Sequence, residues 1–183
     1  MDYRDSDFAR VYGEQVWRVY GFVAYRVGDR ESAEDLTQAT FERALRAWSR
    51  FDPRRGSERT WLLAIARNLL IDYRRRDRSA RLQELDEQAL PAIAGPEDRL
   101  LGSPELADAL AELSDRDREV LALRFGGDLT GPEIAALLGL SIANVQQILS
   151  RSLRKLRGML ESRPDVPLRS ASGVGDRARP DGS

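Results

Sequence analysis

Residues 60 to 76 read TWLLAIARNLLIDYRRR, an apolar helical stretch that carries one Asn and one Asp and ends in three consecutive arginines. At helical spacing Trp61, Ile65 and Leu69 fall on one stripe, which binds the helix into its own unit. Asn68, Asp72 and Arg75 fall on another. Arg74, Arg75 and Arg76, with Arg54, Arg55, Arg59, Arg67 and Arg78, set a cationic rim around that polar stripe. Fixed guanidinium charge beside polar and aromatic groups is chemistry for holding a polyanion, and single-stranded nucleic acid is commonly gripped in this way.

The charge is distributed unevenly along the chain. From Arg43 to Arg81 there are twelve arginines against four acids, and from Glu84 to Glu119 eleven acids against three arginines, within a net charge of −1. Such blocks speak to partners more than the total does. The chain has no Cys and no His, which excludes disulfides, thiolate nucleophiles, Ser-His-Asp triads and the usual zinc sites. No metal or other cofactor is expected. No apolar run reaches the roughly 18 residues of a membrane span, and the Met1-Asp2 start does not read as a signal peptide. A cytoplasmic protein with no membrane insertion is expected.

Helical periodicity dominates the 183 residues, and β-alternation is absent from the pattern. Phe8, Val11, Tyr12, Val16, Val19, Tyr20 and Val23 predict a first helix that stops near Gly28-Asp29. A second runs from about Arg30 to Ser49, with Ala33, Leu36, Thr40, Phe41, Ala44 and Trp48 on one face. FDPRRGS at 51–57 breaks it, and Ser57 is placed to cap the third. Breakers at Pro91, Gly95, Pro96, Gly102 and Pro104 mark an acidic linker, after which periodicity returns as far as residue 160. The expectation is an all-α chain of two small helical domains, 1–81 and 105–162, joined by a flexible acidic linker at 82–104. A disordered tail is expected at 163–183.

The second unit has the spacing of a helix-turn-helix. Thr130 and Glu133 form a T-x-x-E capping box, Pro132 sits in the tolerant first turn, and Gly139 supplies a left-handed turn. Ile134, Leu137 and Leu138 face inward. Ser141 caps the next helix, whose Val145, Leu149, Ser152 and Leu156 form the packing stripe. Asn144, Gln146, Gln147, Ser150 and Arg151 are left facing outward on the half that enters a major groove in such folds. Asn and Gln suit adenine edges, while Arg151, Arg154 and Lys155 suit phosphate or guanine.

Taken in order, SAEDLTQATFERALRAW, ERTWLLAIARNLLIDYRRR, a linker, LSDRDREVLALRF and the helix-turn-helix resemble a bacterial sigma factor. The likeness is to the small extracytoplasmic-function group of the sigma-70 family and covers about residues 6 to 160. It implies a polymerase-binding, promoter −10 domain at 1–81 and a −35 domain at 105–162. It also implies bacterial core RNA polymerase and promoter DNA, duplex and single-stranded, as partners, with an anti-sigma factor as a further one. In the family, AEDLTQATF lies on the helix that grips the polymerase clamp, which assigns Asp35, Gln38, Phe41 and Glu42 to polymerase binding. Asp35, Gln38 and Glu42 share one helix face. Carried over likewise, Arg54, Arg55, Arg59, Asn68, Asp72, Arg74, Arg75 and Arg76 bind the −10 element, with Asn68 and the 51–60 loop contacting bases. Thr130, Ser141, Asn144, Gln146, Gln147, Ser150, Arg151, Arg154 and Lys155 bind the −35 element. The sequence departs from the family at Ala39, where an acid is frequent. It departs again at Gln146, Gln147 and Ile148, where Lys, Ser and Arg are common, and at Ser150, commonly His. Ile148 is expected to turn into the core.

Two promoter elements two helical turns apart are separated by roughly 70 Å. A flexible linker of this length averages only about 25–29 Å end to end and reaches about 76–83 Å fully extended. A scaffold must therefore hold it stretched, which the resemblance assigns to the polymerase. One rival is an autonomous dimeric helix-turn-helix regulator, which leaves AEDLTQATF and IARNLLIDYRRR without a purpose. The other is a metal-dependent nuclease, for which no converging carboxylate pocket is evident; the chain is not expected to be an enzyme.

Overall fold

The computed structural model describes residues 3–27, 29–84 and 104–162, with backbone alone at 3–6, 77–84 and 104. The expected linker, beyond its first residues, and the expected tail lie outside the described residues. Those described are helical, with no β-strand. Helix α1 spans Tyr3–Val27, α2 Arg30–Ala47 and α3 Glu58–Glu84. After the linker come α4 (Pro104–Ala111), α5 (Asp115–Leu121), a π-helical turn (Ala122–Gly126), α6 (Gly131–Leu138) and α7 (Ile142–Glu161).

The helix starts follow from local capping. Asp29 accepts the Ser32 N–H at 2.7 Å to open α2, and the Ser57 hydroxyl accepts the Thr60 N–H at 3.2 Å to open α3. Helix α2 closes in a 3-10 turn, Trp48–Arg50. There Trp48 stacks on Phe51 at 5.1 Å and both rings meet Trp61, so the arginine-bearing 51–57 loop springs from an aromatic anchor. The rings of Phe8 and Tyr12 pack edge-on against Phe41, tying α1 to α2.

Helix α3 is inserted more deeply than its Trp61–Ile65–Leu69 stripe suggests. Leu62, Leu63, Ala66 and Leu70 are the fully buried residues, and the predicted stripe is half-buried beside them. A helix apolar nearly all round is buried on more than one side. Here α1 and α2 take one side, and α6 also packs on it. The helix continues to Glu84, three residues into the stretch expected to be linker.

The two units do not keep separate cores. A single buried cluster runs from Val11, Phe22, Leu62 and Leu63 into Leu123, Leu129, Ile134 and Val145. A second, smaller cluster joins α4, α5 and α7 through Leu110, Leu113, Leu121 and Leu156. The seam between units is α1 against the π-turn, and its closest approach is glycine on glycine. A Cβ on Gly126 would lie 2.5 Å from the Gly21 carbonyl carbon and 2.6 Å from the Phe22 nitrogen. Only a residue without a side chain lets the two backbones meet this closely.

Candidate nucleic-acid interface

The helix-turn-helix forms as its residues dictate. The Thr130 backbone N–H and hydroxyl both donate to Glu133 Oε2, at 2.8 and 2.7 Å. Those two bonds hold the Glu133 carboxyl below the ordinary glutamate range. Gly139 adopts φ 65°, the left-handed turn between the helices. The Ser141 hydroxyl accepts the Asn144 N–H at 3.2 Å. Val145, Ile148, Ser152 and Leu156 are buried, so Ile148 joins the core and is removed from the surface available to DNA. Asn144, Gln146, Gln147 and Ser150 are exposed along one face of α7. Thr130 and Ser141 are exposed but committed to their caps.

The cations of α7 are restrained. Arg151 donates to Asp117 Oδ1 at 2.8 Å, the Lys155 ammonium to the Glu112 carbonyl at 2.7 Å, and Arg154 Nε to the Ser150 carbonyl at 3.4 Å. Arg151 is still 60% exposed, so the pair fixes its direction while leaving its outer edge open.

On the first unit, Arg54 and Arg55 stand exposed in the 51–57 loop, whose backbone is turned by Asp52: Oδ1 accepts the Arg54 N–H and the carbonyl the Arg55 N–H, both at 3.0 Å. Asn68, Arg75 and Arg76 are exposed, and Asp72 is half-buried with Oδ1 3.5 Å from Arg75, placed to orient it. Asn68, Arg75 and Arg76 are thus open to solvent on α3, and Arg54 and Arg55 on the loop before it.

Three other rim arginines point into the second unit. Arg59 donates to the Asp128 carboxylate at 3.0 Å and to its carbonyl at 2.6 Å. Arg67 donates to Glu119 at 2.8 Å, and Arg74 to Asp115 at 2.8 Å. Arg18 also reaches Asp128 at 3.4 Å, and Arg26 donates to the Asp115 carbonyl at 2.9 Å. Burial pushes the Asp115 carboxyl up, but Arg74, Arg118 and Arg26 outweigh it and hold the group below the ordinary aspartate range. Burial and the neighbouring Arg74 charge bring Arg26 down to about 10. The sequence reading missed Asp115, Glu119 and Asp128 as partners of the rim. Asp115 and Glu119 lie in the acidic block that mirrors the arginine block, whereas Asp128 lies beyond it and carries no such signal.

On α2, Asp35, Gln38 and Glu42 are exposed on one face, and Gln38 Nε2 donates to Glu42 Oε1 at 2.9 Å. Phe41 corrects the expectation of a surface contact. It is only 4% exposed, because its ring packs against Phe8 and Tyr12, and it reaches outward only as the floor of a groove. That groove, of about 610 Å³, lies between α1 and α2 and is also lined by Tyr12, Trp17, Gln38, Glu42 and Leu45.

Comparison with known proteins identifies this geometry. Residues 12–80 match Sigma-70 region 2, and residues 109–158 match Sigma-70, region 4. The chain is similar to the ECF RNA polymerase sigma factor BldN of Streptomyces coelicolor, 35% identical over 159 residues covering 84% of this chain and 60% of BldN. It is also similar to RpoE of Cereibacter sphaeroides, 30% identical over 85% of this chain and 88% of that protein. Among solved structures, CnrH in complex with the cytosolic domain of CnrY aligns with a TM-score of 0.61 at 28% identity, covering 86% of this chain and 89% of that one. The sigma factor RpoE in complex with the anti-sigma factor NepR, from Bartonella quintana, shares the fold at a TM-score of 0.68 and 23% identity, covering 85% and 98%. The chain belongs to the extracytoplasmic-function group of the sigma-70 family. Neither matched region is that of a catalytic family. No single helix among the described residues is long and apolar enough to cross a membrane.

Proposed function

We propose that this chain directs bacterial core RNA polymerase to specific promoters through residues 1–81 at the −10 element and 105–162 at the −35 element. Its work is differential binding, with no bond chemistry. The exposed Asp35, Gln38 and Glu42, with the groove floored by Phe41, form the polymerase-facing surface. Asn68 and the 51–60 loop take unstacked bases, and the arginines of α3 take phosphates. Gln146 and Gln147 read A·T pairs at the −35 element, while Arg151, Arg154 and Lys155 supply phosphate affinity. The protein acts in the cytoplasm, nucleoid-associated when polymerase is bound, and an anti-sigma factor is the natural candidate for a restraining partner.

The observation that carries this reading is the pairing, in one chain, of an arginine-rimmed polar helix with a capped helix-turn-helix. Transcription of a genomic fragment library by purified core polymerase, with and without the protein, tests it. Discrete new start sites only in the presence of the protein are expected. Tight, sequence-specific duplex binding by the chain alone, with no effect on polymerase, would return the reading to an autonomous regulator.

A further inference from the structure

We infer that the acidic face formed by Asp115, Glu119 and Asp128 is an internal phosphate mimic, which keeps three arginines of the −10 rim, Arg59, Arg67 and Arg74, occupied until the two units are parted. This inference rests on the proposed function for its consequence, though its geometry stands without it. Each of the three carboxylates takes a different rim guanidinium, Arg59, Arg67 or Arg74, at 2.8 to 3.0 Å. A charge-assisted N–H···O⁻ contact of that length is what the same guanidiniums make with a phosphate oxygen. The acids sit on the α5 segment and beyond the π-turn, and the arginines run down one helix from residue 59 to 74. Three cations spaced along α3 are thus met by three anions of the other unit.

The seam that holds this arrangement is shaped for close contact. Gly126 lies so near Gly21 and Phe22 that any side chain there would push the units apart. Leu63 packs against Gly127 under the same constraint, since a Cβ there would come within 2.8 Å of Leu63 Cδ1. Arg59 Nε is buried without an acceptor among the described residues. A body of this many residues packed as one has a radius of gyration of about 14 Å. It cannot reach two promoter elements roughly 70 Å apart. Reading both elements requires the seam to open, and opening uncovers the three arginines together.

The test exploits a chain that contains no cysteine. Glu31→Cys and Ala136→Cys, both at exposed positions of different units, carry a donor and an acceptor dye on the full chain. Gly126→Ala opens the seam with no change of charge. A second variant, Asp115→Asn with Glu119→Gln and Asp128→Asn, removes the mimic and keeps side-chain shape. A control neutralises three acids outside the seam: Asp7→Asn, Glu112→Gln and Glu161→Gln. The nucleic acid is a labelled single strand of about 20 nucleotides, long enough to span a basic groove.

Both seam variants are expected to lose energy transfer, as is the wild type on binding core polymerase. Each freed phosphate site adds about 0.7 to the dependence of log affinity on log salt for single strands. The slope should therefore steepen by about 2 in both seam variants, and stay at its wild-type value in the control. Unchanged energy transfer in both seam variants overturns the inference, as does lost transfer with a wild-type salt slope. If Gly126→Ala unfolds the second unit, seen as lost helical signal, the carboxamide variant alone decides by the same two readouts. The proposed function fails separately: absence of new start sites with core polymerase would sink it while leaving the slope and transfer results to stand.

Discussion

Glu133→Ala is the most informative substitution for how the units are joined. It removes both acceptor bonds at the start of α6, where Thr130 donates from its N–H and its hydroxyl. Loss of a helix cap costs about 1 kcal/mol, within a range of roughly 0.5–2. How that appears in a melt depends on the size of the unit that unfolds. A unit of 60–100 residues moves by about 4–8 °C per kcal/mol, and one of 150–250 by about 2–4 °C. Because Leu123, Leu129, Ile134 and Val145 share one buried cluster with Phe22, Leu62 and Leu63, a single transition lowered by about 2–4 °C is expected. Circular dichroism at 222 nm and calorimetry both read it. The pH dependence follows from the lowered carboxyl. A depressed folded-state value gives stability that is present above the ordinary glutamate pKa of about 4.3 and is lost as pH falls through the lower folded value. The gap between wild type and variant should therefore close in acid. An early, separate transition of the helix-turn-helix would refute the shared core, and an unchanged melt at pH 7 would refute the cap.

Asp35→Arg with Gln38→Arg should abolish co-purification with core polymerase at unchanged helicity, since both residues are exposed on α2. Asn68→Ala and Arg75→Ala should slow strand opening more than closed-complex formation, and a pre-melted bubble should restore much of the loss. Gln146→Ala or Gln147→Ala should relax promoter selection at one or two −35 positions by about 1–3 kcal/mol each, read by selection of promoters from a randomised pool. Arg154→Ala should weaken all promoters alike and lower the duplex salt slope by about 0.9. Leu63→Ala should destabilise by about 2–5 kcal/mol, because the side chain fills the core and abuts Gly127 at the seam.

Local devices were legible and long-range ones were not. The Ser57 and Ser141 caps, the Thr130–Glu133 box and the Gly139 turn each depend on residues within four positions of one another, and each formed as read. Ile148 went into the core because its spacing from Val145 and Ser152 leaves no other side of α7. The α3 face was displaced by one residue because Leu62, Leu63, Ala66 and Leu70 are covered from both units, and periodicity records one buried side at a time. Phe41 is assigned to polymerase contact only by carry-over of the family motif, although its own position on α2 points at α1. The guanidinium–carboxylate pairs across the seam join residues 41 to 110 positions apart. Charge blocks could reveal that such partners exist, but not that they belong to the same molecule.

The aromatic anchor of the 51–57 loop makes the unlabelled protein a two-colour reporter. Its three tryptophans fall into two optical classes. Trp17, 76% exposed, lines the α1–α2 groove and should emit to the red and be open to acrylamide. Trp48 and Trp61 are half-buried around Phe51, at the root of the arginine loop, and should emit to the blue. A protein seated in the groove alters the first population, and bases stacked at the loop quench the second. Arrival of polymerase and arrival of the melted strand would then register at different wavelengths, so stopped-flow emission can time the two events within one reaction.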